Sequence, residues 1–171
     1  MSEEKNLELV IDIAVAVKQR APKALFVIAG DGPLFPALRE RVESSGASHA
    51  VHFTGFYPKV RELLAASDVF LLPSFLELHS IAILEALSAG VPVTASAGVG
   101  CNSDVLTHGR DVMLLDPFHK EDWVGPLADL VNDASLRRRI GQAGRDLCWS
   151  QFDIRKVAGH FEGLYEEMIH E

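Results

Sequence analysis

Apolar positions recur at helical spacing through residues 6–20, at Leu7, Val10, Ile11, Ala14 and Val17, and the pattern stops at Ala21-Pro22. The continuous apolar run from Ala24 to Ala29 then predicts a strand covered on both faces, as in a parallel sheet. Gly30-Asp31-Gly32-Pro33 ends it, and a helix is expected from there to about Glu43. Val51 to Thr54 reads as a short strand closed by Gly55. Lys59 to Ala66 reads as a helix and Val69 to Leu72 as a strand bounded by Pro73. After a short loop a further helix is expected, with Ser80 at its N-cap, Ile81 to Leu87 as its body and Gly90 in the C′ position. Val91 to Ala95 and Val112 to Leu115 are the last two strands. The C-terminal third is helical, at Glu121 to Val131, Ser135 to Leu147 and Ile154 to Ile169. Strand and helix alternate from Leu7 to Leu130, which predicts an α/β fold with a Rossmann-like, doubly wound parallel sheet and C-terminal helices. No stretch resembles a linker and no segment repeats, so residues 1–171 read as one domain.

Composition narrows the picture. The net charge of −8 argues against a broad nucleic-acid-binding surface. Apolar runs fall short of a bilayer span and Met1 to Lys5 is no signal peptide, which predicts a cytoplasmic protein. Cys101 and Cys148 have no metal-type spacing and read as free thiols. The seven histidines show neither zinc spacing nor a Ser-His-Asp pattern, so no metal is implied.

The candidate chemistry clusters where strands end, the edge at which open α/β sheets bind ligands. Glu77 lies in the loop before the Ser80 helix and Glu85 within that helix. A carboxylate accepts two hydroxyls at once, as in recognition of sugar or ribose diols, while free amides at the helix start suit phosphate. The alternative is an exposed loop Glu and a solvated helix Glu. Against it, Ile81-Ala82-Ile83-Leu84-Glu85-Ala86-Leu87 is otherwise apolar. Gly30 and Gly32 let a ligand approach the backbone closely, and Gly55-Phe56-Tyr57 closes a strand on the same edge. Each of these two turns is also readable as a plain turn. His79 beside two carboxylates could look like a base, but reads better as a loop residue on the ligand-binding side.

Glu77 through Glu85, followed by Ala86-Leu87-Ser88-Ala89-Gly90-Val91-Pro92-Val93, resembles the Glu-x7-Glu hallmark of retaining glycosyltransferases of the GT-B architecture. This is the group related to sucrose and glycogen synthases. The resemblance runs from about Lys5 to Tyr165 and is to the C-terminal, donor-binding half. Ala29-Gly30-Asp31-Gly32-Pro33 fits the turn near the donor nucleotide, and Gly55-Phe56-Tyr57 the loop against the base. Gly98 to Asp104 corresponds to a phosphate- or sugar-adjacent loop. One departure is Leu78-His79-Ser80, where the family carries glycines; side chains there narrow the approach to the ligand.

The resemblance implies a sugar moved from a nucleoside diphosphate to an acceptor hydroxyl, without a cofactor, the nucleotide-sugar being a substrate. It assigns ribose hydroxyls to Glu85, sugar hydroxyls to Glu77, and the diphosphate to the amides near Ser80 and Ile81 with charge from Lys5. Glu77 and Lys5 are thus the catalytic candidates, although a terminal Lys is ordinarily just solvated. An Arg upstream of Lys5 and the N-terminal GT-B domain with its catalytic His are expected outside this chain, so the half alone should be inactive. Acceptors could be a glycan, a lipid or a small molecule. A nucleotide-sugar epimerase-like half and a non-catalytic binding subunit are the alternatives. Two structural expectations follow. The family strand before Lys5 is central, so the five strands near 25, 52, 70, 93 and 113 should either close up or leave an open seam. The apolar stripe Ile154, Val157, Phe161, Leu164, Tyr165 and Met168 should be partly exposed, a surface for a partner domain or a homodimer.

Overall fold

The computed structural model describes residues 1–78 and 80–170, the last as backbone only. In chain order the elements are α1 (Leu7–Arg20), β1 (Phe26–Ala29), α2 (Phe35–Ser44), β2 (Val51–Gly55), α3 (Val60–Ala65), β3 (Phe70–Leu72), α4 (Ile81–Ser88), β4 (Val93–Ser96), α5 (Asn102–Val105), β5 (Met113–Leu115), α6 (Lys120–Asn132), α7 (Ala134–Gln151) and α8 (Ile154–His170). This is the expected α/β alternation, with one addition: the loop expected at Gly98 to Asp104 winds into the short α5. Asn102 holds it by donating from Nδ2 to the Ser96 carbonyl, 3.2 Å away.

All strand pairs are parallel, but they form two sheets. β1 pairs with β2, and β3-β4-β5 form the second ladder. An open seam separates them among the described residues. Across it the sheets share side-chain packing, since Phe26 of β1 and Leu71 of β3 pack against the same apolar clusters. The burial pattern of β1 corrects the expectation that the strand is covered on both faces. Ile28 is buried beneath Val10, Ile11 and Ala14 of α1, whereas Leu25 and Val27 are 62% and 41% exposed. The period-two alternation is that of a strand with one covered face.

The helices are fixed by local chemistry. Gly90, at φ 75°, ends α4: its N–H bonds to the Leu87 carbonyl and that of Val91 to Ala86, the paired bonds of a Schellman motif. Asp133 caps α7 by accepting from the amides of Ser135 and Leu136. α7 lies tight on α4 because Gly141 and Gly144 face it. A Cβ at Gly141 would collide with the Gly90 carbonyl, and one at Gly144 would come within 2.5 Å of Leu87. Trp123 of α6 is fully buried, its indole N–H donating to the Asp116 carbonyl at 2.6 Å.

α8 is different. Ile154, Phe161, Leu164, Tyr165 and Met168 are all exposed, as expected for the stripe. No helix among the described residues is long and apolar enough to cross a membrane.

Candidate functional site

Within each sheet the strands are parallel, so their ends open together, and the N-terminal segment joins the two edges: Met1 lies against Gly32, the Glu4 carbonyl accepts the Phe75 amide, and Asn6 binds the Pro117 carbonyl. On the first sheet the Gly30 amide donates to the Gly55 carbonyl at 2.8 Å, so the two expected glycine turns are neighbours. Gly30 and Gly32 have φ of 131° and 151°, and Gly55 of 67°. At Gly32 a Cβ would collide with the backbone of Met1, so only glycine fits the turn as it stands. Phe56 projects from the Gly55 turn at 79% exposed, which speaks against an aromatic packed on the body; Tyr57 is half-buried.

On the second sheet, Lys5 and Glu77 come together across 72 residues of chain. Lys5 Nζ lies 2.6 Å from Glu77 Oε1, and the Ser74 hydroxyl donates to the same oxygen at 2.9 Å. The Glu77 side chain is 11% exposed and that of Lys5 is 42%. A half-exposed pair contributes about 1 kcal/mol or less, so the consequence is position rather than stability. Two contacts hold this arrangement. The Phe75 amide donates to the Glu4 carbonyl at 2.8 Å, and Gly100, at φ 56°, lets its loop press on the Glu77–Leu78 backbone. A Cβ at Gly100 would stand 2.5 Å from the Glu77 carbonyl oxygen.

α4 starts at this edge. Ser80 is its N-cap by position, with extended φ/ψ, but its side chain makes no capping bond, and the residue is buried. The Ile83 amide donates to the Ser80 carbonyl at 3.1 Å, and among the described residues the amides of Ile81 and Ala82 are left for another acceptor. Ile81, Glu85 and Ser88 lie along one exposed line of α4 while Ile83, Ala86 and Leu87 go to the core. Glu85 thus shares an open face with an exposed isoleucine, which resolves how a carboxylate stands in an apolar helix. His79 lies outside the described residues.

Sequence reasoning missed four residues here. Asn6 is buried in the left-handed region at φ 52°, and its side-chain amide donates to the Pro117 carbonyl at 3.0 Å, tying the Lys5 turn to the end of β5. Phe75 and Phe118 stack at 5.3 Å and 19°. Asp116 accepts the Phe118 amide at 2.8 Å and faces His119 Nδ1 at 3.2 Å, and these contacts hold its carboxyl below the usual range. The signal for Asp116 and Phe118 was an Asp-Pro-Phe directly after β5 on the ligand edge. Asp116, His119 and Asp122 bring ligand atoms within 4.8 Å of one another. They are largely solvated, and such exposed groups commonly stand without an ion.

The sequence profile of the family described as glycosyl transferases, group 1, matches residues 1–147. The chain belongs to that family. Among curated members it is 30% identical over 146 residues to N-acetyl-alpha-D-glucosaminyl L-malate synthase of Bacillus anthracis, a match covering 85% of this chain and 38% of that one. Among solved structures, this group 1 glycosyl transferase chain superposes on the C-terminal domain of LpcC, a family protein of Francisella tularensis. The TM-score is 0.82 at 22% identity, over 90% of this chain and 83% of that one. It also matches a TarM variant of S. aureus solved with fondaparinux, alpha-GlcNAc-glycerol and UDP. There the TM-score is 0.88 at 20% identity, over 96% of this chain and 34% of that one. The chain spans less than half the length of the curated relatives it matches first. The fold is that of a GT-B C-terminal domain, as the sequence predicted.

Proposed function

We propose that this chain binds the nucleoside diphosphate-sugar donor of a retaining glycosyltransferase whose acceptor-side domain lies outside it. The observation that carries the reading is the Lys5–Glu77 pair, 2.6 Å across, on the edge where the Gly30 and Gly55 turns and the start of α4 also converge. Each part has a chemical task. The two glycine turns admit the base and ribose close to the backbone, with Phe56 and Tyr57 beside them. Glu85 accepts from the ribose hydroxyls, and the open amides near Ser80 and Ile81 receive the diphosphate. Glu77 accepts from sugar hydroxyls. Lys5 supplies positive charge where the leaving diphosphate gains negative charge, and Glu77 holds that ammonium in place until the donor arrives.

A neighbour of the same fold was solved with UDP, which supports a nucleotide as the ligand. The donor is substrate, with no further cofactor in this proposal. A two-domain enzyme sets donor and acceptor on opposite walls of a cleft, and rate depends on holding both in attack geometry. One wall alone binds weakly and transfers nothing. A cytoplasmic setting, where nucleotide-sugars are made, belongs to the same proposal.

Calorimetric titration tests the roles. Glu85→Gln exchanges one acceptor oxygen for a donor and should cost about 1.5–3 kcal/mol of nucleoside diphosphate binding, the scale of a hydrogen bond to a charged group. Glu77→Gln should weaken the sugar nucleotide more than the bare nucleotide. Unchanged binding by Glu85→Gln contradicts the ribose assignment. Sugar transfer by the purified chain contradicts the half-enzyme reading.

A further inference from the structure

The loops after β3, β4 and β5 enclose a cleft of about 340 Å³, lined by Phe75, Gly98, Val99, Asp116, Pro117 and Phe118. Its loops end the β3–β4–β5 sheet, whereas the Gly30 and Gly55 turns end the β1–β2 sheet. Two phenylalanines form one wall. Their rings stack, yet Phe75 is 44% and Phe118 is 74% exposed, so the pair keeps an open aromatic surface instead of burying itself. The backbone beneath is rigid. Asn6 binds the Pro117 carbonyl, Trp123 binds the Asp116 carbonyl, and the Asp116 carboxylate fixes the Phe118 amide. An aromatic face offers dispersion contact to the C–H face of a pyranose, and a carboxylate accepts its hydroxyls. Among the described residues the Asp116 carboxylate engages the Phe118 amide and His119, which leaves lone pairs for this.

We propose that Phe75, Phe118 and Asp116 form a platform for a hydroxylated sugar ring without negative charge, seated on the open face of Phe118. The platform rests on the donor-binding reading, and it names the sugar side of that site. Asp116 on the cleft wall, with Asp122 close to it, disfavours a uronate or a phosphorylated ring by like charge. The ring comes either from the donor or from the acceptor, and both present the same chemistry to the platform.

Aromatic ¹³C–¹H spectra of the full chain, assigned for Phe75 and Phe118, test this with UDP, UDP-glucose, methyl α-D-glucopyranoside and glucuronate as probes. The expected result is movement of the Phe118 ring signals with UDP-glucose if the ring is the donor's, or with the methyl glucoside if it is the acceptor's. Glucuronate should leave them in place. Phe118→Ala should reduce the sugar-dependent affinity by about tenfold, the scale of one stacked ring by alanine substitution. Phe118→Trp should restore it, and both variants should bind UDP as the wild type does. Phe118 is so exposed that neither change threatens the fold. Ring signals unmoved by either neutral sugar overturn the platform, as does a Phe118→Ala variant that binds sugar at full strength. Glucuronate binding as tightly as the glucoside overturns it too. A failure to bind UDP removes the donor reading, while the methyl glucoside arm still decides the platform.

Discussion

Asn6 shows how much of this site hangs on single backbone conformations. It is the one non-glycine residue with positive φ among the described residues, and an L side chain accepts that region at a cost which Asn bears better than most. Asn6→Gly should keep the Lys5 turn while losing the Pro117 bond. Asn6→Val should destabilise the chain by about 1–3 kcal/mol, the cost of forcing a β-branched residue there. Urea unfolding checks the difference. If the turn positions Lys5, Asn6→Val also weakens nucleotide binding, and Asn6→Gly less so. The sequence showed Lys5 and Glu77 separately, as family matches, but not their contact across 72 residues. Nothing local encodes it. Nor did the sequence expose Asn6, because a polar residue before a helix reads as an ordinary start and hides its left-handed geometry. Glu85 was legible as an anomaly in an apolar helix, and the exposed line it shares with Ile81 gives the anomaly its cause.

At the scale of elements, hydrophobic period and punctuation located every strand and long helix to within a few residues, since each carries its own pattern. α5 escaped because a four-residue helix has no period to read. The glycines of α7 and α8 make a contrast that stability measurements can use. Gly141→Ala places a Cβ against the fixed Gly90 carbonyl, so overpacking of about 1–3 kcal/mol should outweigh the gain in helix propensity. Gly159→Ala, with nothing within reach of the new Cβ, should instead stabilise α8 by up to about 1 kcal/mol. Destabilisation by both would deny that the α4–α7 contact sets the difference. The start of α8 adds a pH dependence. Asp153 accepts from the Arg155 guanidinium and amide, which lowers its carboxyl from its ordinary value to about 2. A depressed folded-state value means that its contribution is complete above the ordinary carboxylate range. That contribution disappears as pH falls toward 2. Asp153→Asn should flatten the acid limb of a stability–pH curve in that window. An unchanged limb would show the interaction absent in solution.

For the whole molecule, the two-sheet arrangement is the feature the strand pattern could not decide. Each strand is readable alone, while the seam between β1 and β3 depends on which edges pair. The stripe on α8 is the second open surface. If it is a self-association face, sedimentation should show a dimer that Phe161→Glu with Met168→Glu returns to monomer; a monomer at all concentrations assigns the stripe to another partner. The central claim, that the shared strand-end edge is a donor site, has one direct measurement: backbone amide chemical-shift mapping of the chain during titration with UDP-, GDP- and ADP-sugars. The account predicts that at least one of them moves the amides of Gly30, Gly55 and Ile81 together, with Lys5 and Glu77 nearby. Shifts confined to the opposite edge of the sheets, or none with any of the three, would contradict it.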